Sequence, residues 1–235
     1  DAGLTTFEFL ADGETLTLNY DVTVTDGVLN DQTTVEINIT GTNDAPTITG
    51  GPVNRTLQES AGLDQTNVQL TDSGTFNVED LDTSNVVNAN SSFSSSAGND
   101  ADLALDGVDF NSFFHVSPDP VIDAATNAAI LDWNFDSLGT SFEFLADGET
   151  LTLTYQVTVD DGVLNDQTTV EINITGTNDQ PTITGGPVSK NIAESDGLDQ
   201  TGITLTDSGT FNVEDLDTSN VVNATSLFIA SAGTN

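Results

Sequence analysis

The segment FEFLADGETLTLNYDVTVTDGVLNDQTTVEINITGTND, which begins at Phe7, returns 135 residues later at Phe142 with scattered changes. The same offset carries Gly41 to Gly176, Glu59 to Glu194 and Asp80 to Asp215, and residues 5–100 superpose on 140–235 without a gap. The 235 residues therefore hold one complete period and most of another. Repetition on this scale implies an array of similar units rather than one unique catalytic domain. Near-identity of the copies also means that sameness at a position says little about its role.

Each copy reads as β-structure. Leu16, Leu18, Tyr20, Val22 and Val24 alternate with Thr15, Thr17, Asn19, Asp21 and Thr23. That is the period-2 pattern of a strand with one face in a core and the other in water. Val35, Ile37 and Ile39 repeat the alternation, and Asp26-Gly27 and Asn30-Asp31 supply turn chemistry between the two runs. In the unduplicated middle, Leu131, Trp133 and Phe135 alternate with Asp132 and Asn134, which places Trp133 in a core. Residues 103–115 are expected to hold one short helical turn. Strand runs at this spacing without a long amphipathic helix predict β-sandwiches.

Charge narrows the partners. Two Lys+Arg face 38 Asp+Glu, a formal net charge of −36. Such a surface repels phosphate backbones and anionic headgroups, which argues against nucleic acid and membrane surfaces as partners. With no Cys there are no disulfides, thiolate zinc sites or cysteine nucleophiles. No apolar run approaches the ~20 residues of a membrane helix. High net charge also marks disordered chains, but a 36% hydrophobic fraction with 12 patterned Phe predicts a folded chain. Beginning at Asp1 and lacking Met, the chain reads as an internal piece of something longer.

Catalysis finds no support in the residues. His115 is the only imidazole and follows Phe113 and Phe114, so it has no partner for a zinc site. No nucleophile elbow is present, and paired carboxylates are commonplace in so acidic a chain. Asp80-Leu81-Asp82-Thr83-Ser84 opens like an EF-hand loop, but Asn85 and Ser91 stand where that loop requires Gly and Glu. Arg55 and Lys190 occupy equivalent positions and are expected to neutralise nearby acids. The chain is not expected to be an enzyme.

Trp133-Asn134-Phe135-Asp136, the run FEFLADGETLTLTYQVTVDDG at 142–162 and ITGTNDQP at 174–181 together resemble the VCBS-type repeat of very large bacterial surface and secreted proteins, including adhesins exported by type I secretion. Such repeats resemble cadherin domains, seven-stranded sandwiches joined end to end by calcium-binding linkers. The implied fold is all-β: tandem Ig-like or cadherin-like sandwiches joined by linkers that bind Ca²⁺.

The resemblance also implies ligands. The linker Asn-Asp pair followed by proline is Asn43-Asp44-Ala45-Pro46 and again Asn178-Asp179-Gln180-Pro181. The Glu wanted farther along is Glu59 or Glu194, and the Asp-x-Asp is Asp80-Leu81-Asp82 or Asp215-Leu216-Asp217. Glu14 and Glu149 match the acid before the penultimate strand, and Asp26 and Asp161 the Asp after it. Glu149 and Asp161 are separated by roughly 40 Å of strand at ~3.3 Å per residue, so they mark opposite ends of one sandwich. The first junction is thus expected to gather Glu14, Asn43, Asp44, Asp80, Asp82 and Asp161. The second is expected to gather Glu59, Glu149, Asn178, Asp179, Asp215 and Asp217. Asp26 and Asp161 are equally the Asp-Gly of a hairpin turn. Where cadherins carry a further Asp before the Asn, this chain has Gly41 and Gly176, which predicts only one or two ions per junction.

Cut at the linkers, the chain divides into the tail of one repeat at 1–46, a complete repeat at 47–181 and the head of another at 182–235. The implied function is a Ca²⁺-stiffened spacer in a giant extracellular adhesin at the cell surface, with neighbouring repeats of the same chain as its partners. Two alternatives are a filament subunit, in which identical molecules join end to end, and a glycan- or protein-binding module.

Overall fold

The computed structural model describes residues 7–60, 69–99, 107–124, 126–193 and 204–233. Two long strands open the chain, β1 (Thr15–Thr25) and β2 (Asn30–Thr40). They form an antiparallel hairpin in continuous register from Thr15↔Thr40 to Thr25↔Asn30. The short β3 (Thr47–Thr49) and β4 (Val53–Gln58) follow, then β5 (Thr71–Glu79) and β6 (Asn88–Gly98). A 3₁₀ turn at Phe110–Phe113 precedes β7 (Phe114–Ser117) and β8 (Ala128–Asp136), so a helical turn does fall within the expected stretch. A second long hairpin pairs β9 (Thr150–Asp160) with β10 (Asn165–Thr175). β11 (Thr182–Thr184) and β12 (Asn212–Glu214) pair near the end. There is no α-helix among the described residues.

Strands β3 to β10 make two four-stranded sheets, ordered β4-β10-β9-β6 and β3-β5-β8-β7. β4 runs parallel to β10, and the other pairings in both sheets are antiparallel. With β3 and β4 as a first strand divided between the sheets, this is the A-B-E-D and A′-G-F-C order of an immunoglobulin-type sandwich. One continuous core lies between the sheets and takes its residues from alternate positions of β5, β8, β9 and β10. Its centre is aromatic: Phe114 of one sheet stacks on Tyr155 of the other with ring centroids 4.7 Å apart, and on Trp133 at 5.7 Å. Trp133 is 2% exposed and belongs to this core, so it offers no platform for a sugar.

The β1–β2 hairpin copies β9–β10 in sequence and register but not in surroundings. Tyr155, Val157, Val159, Val170 and Ile172 are fully buried, whereas Tyr20, Val22, Val24, Val35 and Ile37 are exposed. The alternation predicted a one-sided face in both hairpins, and among the described residues only β9–β10 has a second sheet covering that face.

Each hairpin leads into a linker through a glycine that no other residue can replace without displacing backbone. A Cβ on Gly41 would lie 2.1 Å from the Leu10 carbonyl oxygen, and one on Gly176 would lie 2.1 Å from that of Leu145. The position where cadherins carry Asp is therefore closed here by the loop Leu145-Ala146 and its copy.

Candidate metal centres at the two linkers

The first linker is held by three parts of the chain. Asp44 donates its backbone N–H to Asp82 Oδ2 at 2.8 Å, and Asn43 Nδ2 donates to Asp161 Oδ2 at 2.9 Å. Asn85 Nδ2 bridges Asn43 Oδ1 and Asp82 Oδ2, both at 3.2 Å. The loop after β5 folds on itself through Asp82 N–H to Asp80 Oδ1 at 2.9 Å. Thr83 reaches back to the preceding hairpin, donating N–H and hydroxyl to the Phe9 carbonyl at 3.4 and 3.2 Å. Asn43, Asp44, Asp80, Asp82 and Asp161 are thus brought together.

Asp161 serves two purposes at once. Its Oδ1 accepts from Val163 and Leu164 N–H at 2.7 Å each, closing the β9–β10 turn, while Oδ2 meets the linker. Its copy Asp26 closes the β1–β2 turn in the same way, and the Leu29 and Val28 amides hold its carboxyl below the usual range.

Glu14 Oε2 accepts from Ala11 N–H at 3.0 Å, and Glu14 reaches the first junction only as a charge that adds to the shift of Asp82. Burial raises the Asp82 carboxyl, and Asp44, Asp161 and Glu14 raise it further. Burial also raises Asp80, with Asp82 and Asp161 adding to it. Asp80 and Asp82 are buried, and Asp44 Oδ2, Asp80 Oδ2 and Asp82 Oδ1 accept no hydrogen bond. Such oxygens are costly unless a cation or a proton meets them. No basic side chain does so among the described residues: Arg55 pairs with Asp72 at 3.4 Å and Lys190 with Asp207 at 3.8 Å.

The second linker repeats the arrangement. Asp179 N–H donates to Asp217 Oδ2 at 2.9 Å, Asn220 Nδ2 bridges Asn178 Oδ1 and Asp217 Oδ2, and Asp217 N–H reaches Asp215 Oδ1 at 3.2 Å. Thr218 binds the Phe144 carbonyl as Thr83 binds that of Phe9. Burial raises Asp217, and Asp179, Asp215 and Glu59 raise it further. Its Oδ1 accepts no hydrogen bond. Glu59 stands where β4 ends beside β10, and its Oε1 accepts from the Thr177 N–H and hydroxyl.

Glu149 is placed at this junction by its backbone, which accepts from Gly176 N–H at 3.0 Å. Its carboxylate is occupied by Ala146 N–H at 3.0 Å and Asn99 Nδ2 at 2.9 Å. Glu194, the copy of Glu59, lies outside the described residues.

Two groups at these junctions are absent from the pattern read in the sequence. Asn85 and Asn220 clamp both linkers, and the repeated run Asp-Leu-Asp-Thr-Ser-Asn at 80–85 and 215–220 was the available signal. Glu143 is buried beside Glu59 and Asp179, and these three carboxylates each offer an oxygen within 4.8 Å of the others. Burial, then Glu59 and Asp179, pushes its carboxyl up to about 8.

The donors at both linkers are all oxygens, several of them buried without a partner. That chemistry fits a hard cation such as Ca²⁺. Among the described residues, the acids whose oxygens come within 4.8 Å of one another are Glu59, Glu143 and Asp179 at the second linker; at the first, Asp44, Asp80, Asp82 and Asp161 are drawn together without any three of them closing to that distance.

The fold defines the chain as an all-β protein of the sandwich class. No family model matches it, and no curated protein matches it. Among solved structures it is similar to CfaE, the adhesive subunit of the CFA/I fimbria of enterotoxigenic Escherichia coli, at 11% identity and a TM-score of 0.34 over 71% of this chain and 58% of that one. It is similar to the cadherin-like domains 1 to 4 of zebrafish RET at 10% identity and a TM-score of 0.27, over 70% of this chain and 34% of that one. A PapD-like domain of human CEP192 matches 56% of this chain and 84% of its own at 11% identity and a TM-score of 0.30. At these values the likenesses identify neither a family nor an activity. No helix among the described residues is long and apolar enough to cross a membrane.

Proposed function

We propose that the chain is a Ca²⁺-stiffened spacer, built of sandwich units cut at the linkers into 1–46, 47–181 and 182–235, within a large cell-surface adhesin outside the cell. The observation that carries this reading is the set Asp44, Asp80 and Asp82. These carboxylates come from a linker and the unit after it, each keeps an oxygen without a donor, and the chain's two basic residues are engaged elsewhere. A cation there ties the β1–β2 hairpin, the linker and the sandwich into one joint. Extracellular calcium modules work at Kd of about 10⁻⁴–10⁻³ M, so such sites fill outside the cell and empty in a cytosol. At free calcium ten times Kd, each site adds about 1.4 kcal/mol of stability.

Thermal unfolding in EDTA and across a calcium titration tests the proposal. Calcium is expected to raise the melting temperature of the whole chain, and Asp82→Asn to remove part of that rise. Magnesium at equal ionic strength is expected to do much less, since it demands a tighter octahedral shell. Equal effects of the two ions would reduce the result to charge screening and defeat the calcium reading.

The bare apolar face of β1–β2, with Val24 63% exposed, and the exposed Leu227, Phe228 and Ile229 favour a second reading, end-to-end association of identical molecules. Sedimentation velocity over a wide concentration range separates the two. Growth to long species supports association, and a constant monomer leaves the spacer.

A further inference from the structure

The carboxylates of Glu59, Glu143 and Asp179 converge from three places. Glu59 follows β4, Glu143 lies in the turn closed by Leu145 N–H on the Phe142 carbonyl at 3.0 Å, and Asp179 lies in the linker. One oxygen of each lies within 4.8 Å of the others. Oxygens inside that limit need only small side-chain shifts for one ion to meet all three at a calcium–oxygen distance of ~2.3–2.6 Å. A cluster of acids alone would mean little in a chain with 38 of them. Here Glu59 is 3% and Glu143 6% exposed, and Oε2 of each accepts no hydrogen bond. The other oxygen of Glu59 is fixed by Thr177, which orients that carboxylate. Carboxylates this close and this deeply buried repel one another when ionised, and Arg55 and Lys190 pair instead with Asp72 and Asp207.

We infer that Glu59, Glu143 and Asp179 form a divalent-cation position of their own, with Glu143 as a ligand that the Asn-Asp and Asp-x-Asp pattern does not supply. The inference rests on the calcium reading of the linkers and adds a residue to it. The position requires three elements at once. Glu8, the copy of Glu143, is exposed, and no counterpart of Glu59 stands beside it among the described residues.

Calorimetric titration of the full chain with calcium alone tests this, comparing wild type with Glu143→Gln, Glu8→Gln and Asp82→Asn. Glu143→Gln is expected to weaken one site by about tenfold or more, as loss of a ligand charge does. Its melting temperature in EDTA should be no lower than wild type, because it removes a buried repulsion. Glu8→Gln should bind as wild type does. If Glu143→Gln does not fold, Glu143→Asp, which keeps the charge and withdraws the oxygens by one methylene, reads the same position. Unchanged binding by Glu143→Gln, with binding lost in Asp82→Asn, overturns this inference and leaves the linker reading standing. A wild-type chain that binds no calcium overturns both.

Discussion

The two long hairpins are the same structure in different company. Over β1–β2 and β9–β10 the sequences differ only at Asn19/Thr154, Asp21/Gln156 and Thr25/Asp160, all on the outward face. Each pairs eleven residues with eleven in matching register. Yet Tyr155 is fully buried and Tyr20 is 52% exposed. Strand and register are therefore local properties of the repeat, set by alternation and by the Asp-Gly turn. Burial is not local, because it depends on the sheet that packs against the apolar face. The same holds at the hairpin's base, where Glu143 is buried against Glu59 and its copy Glu8 is exposed.

The sharpest way to break the comparison is to truncate the same residue in each copy. Ile172→Ala is expected to destabilise the sandwich by about 2–5 kcal/mol, the usual cost of a large-to-small change in a packed core. Ile37→Ala should cost about 0.5 kcal/mol or less, as at an exposed position. Urea denaturation of the two variants measures both. Equal losses would mean that the face of β1–β2 is covered in solution.

Acid–base behaviour gives the next largest contrast. With calcium chelated, Glu143 titrates at about 8 rather than at its ordinary 4.5. Between those values the folded chain holds more protons than the unfolded one, so stability falls as pH rises through the window. The raised Asp80, Asp82 and Asp217 act with the same sign from their ordinary 3.8. Melting temperature in EDTA should therefore decline between about pH 4.5 and 8. Glu143→Gln should flatten the decline and Glu8→Gln should leave it unchanged. Calcium should reverse the slope, since ligands bind it deprotonated. A flat profile in EDTA would contradict the burial of Glu143.

The smallest contrast concerns the two basic residues. Arg55 pairs with Asp72 and also lies 5.7 Å from the centre of the Trp133 ring, while Lys190 pairs with Asp207 alone among the described residues. Arg55→Ala is expected to cost about 1 kcal/mol and Lys190→Ala close to nothing. Thermal melts of the two single variants resolve a difference of that size.

Much of this architecture was legible in the chain before its structure. Leu16 to Val24 alternate without interruption, so the strand and its inward face follow directly, and Trp133 between Leu131 and Phe135 reads as core for the same reason. The linker acids were legible by resemblance, because Asn43-Asp44 and Asp80-Leu81-Asp82 have fixed positions in a known pattern. Glu143 was not. Flanked by Phe142 and Phe144 it looks like one more outward residue of an alternating strand, whereas the segment is a tight turn that directs it inward. Its partner Glu59 is far away in sequence, and the pairings of β4 and of β9 with β10 bring the two to the same end of one sheet. The carboxylate of Glu149 was likewise assigned by position alone, and its two hydrogen bonds to Ala146 and Asn99 become visible only with the loop in place.

The central claim is that a cation at the linkers makes separate units into one stiff rod. Small-angle scattering from the full chain in EDTA, in calcium and in magnesium at equal ionic strength tests it most directly. The account predicts a longer and narrower distance distribution in calcium alone. Superimposable profiles in EDTA and calcium would contradict it, and would leave the linker acids as a charged surface with no part in the joint.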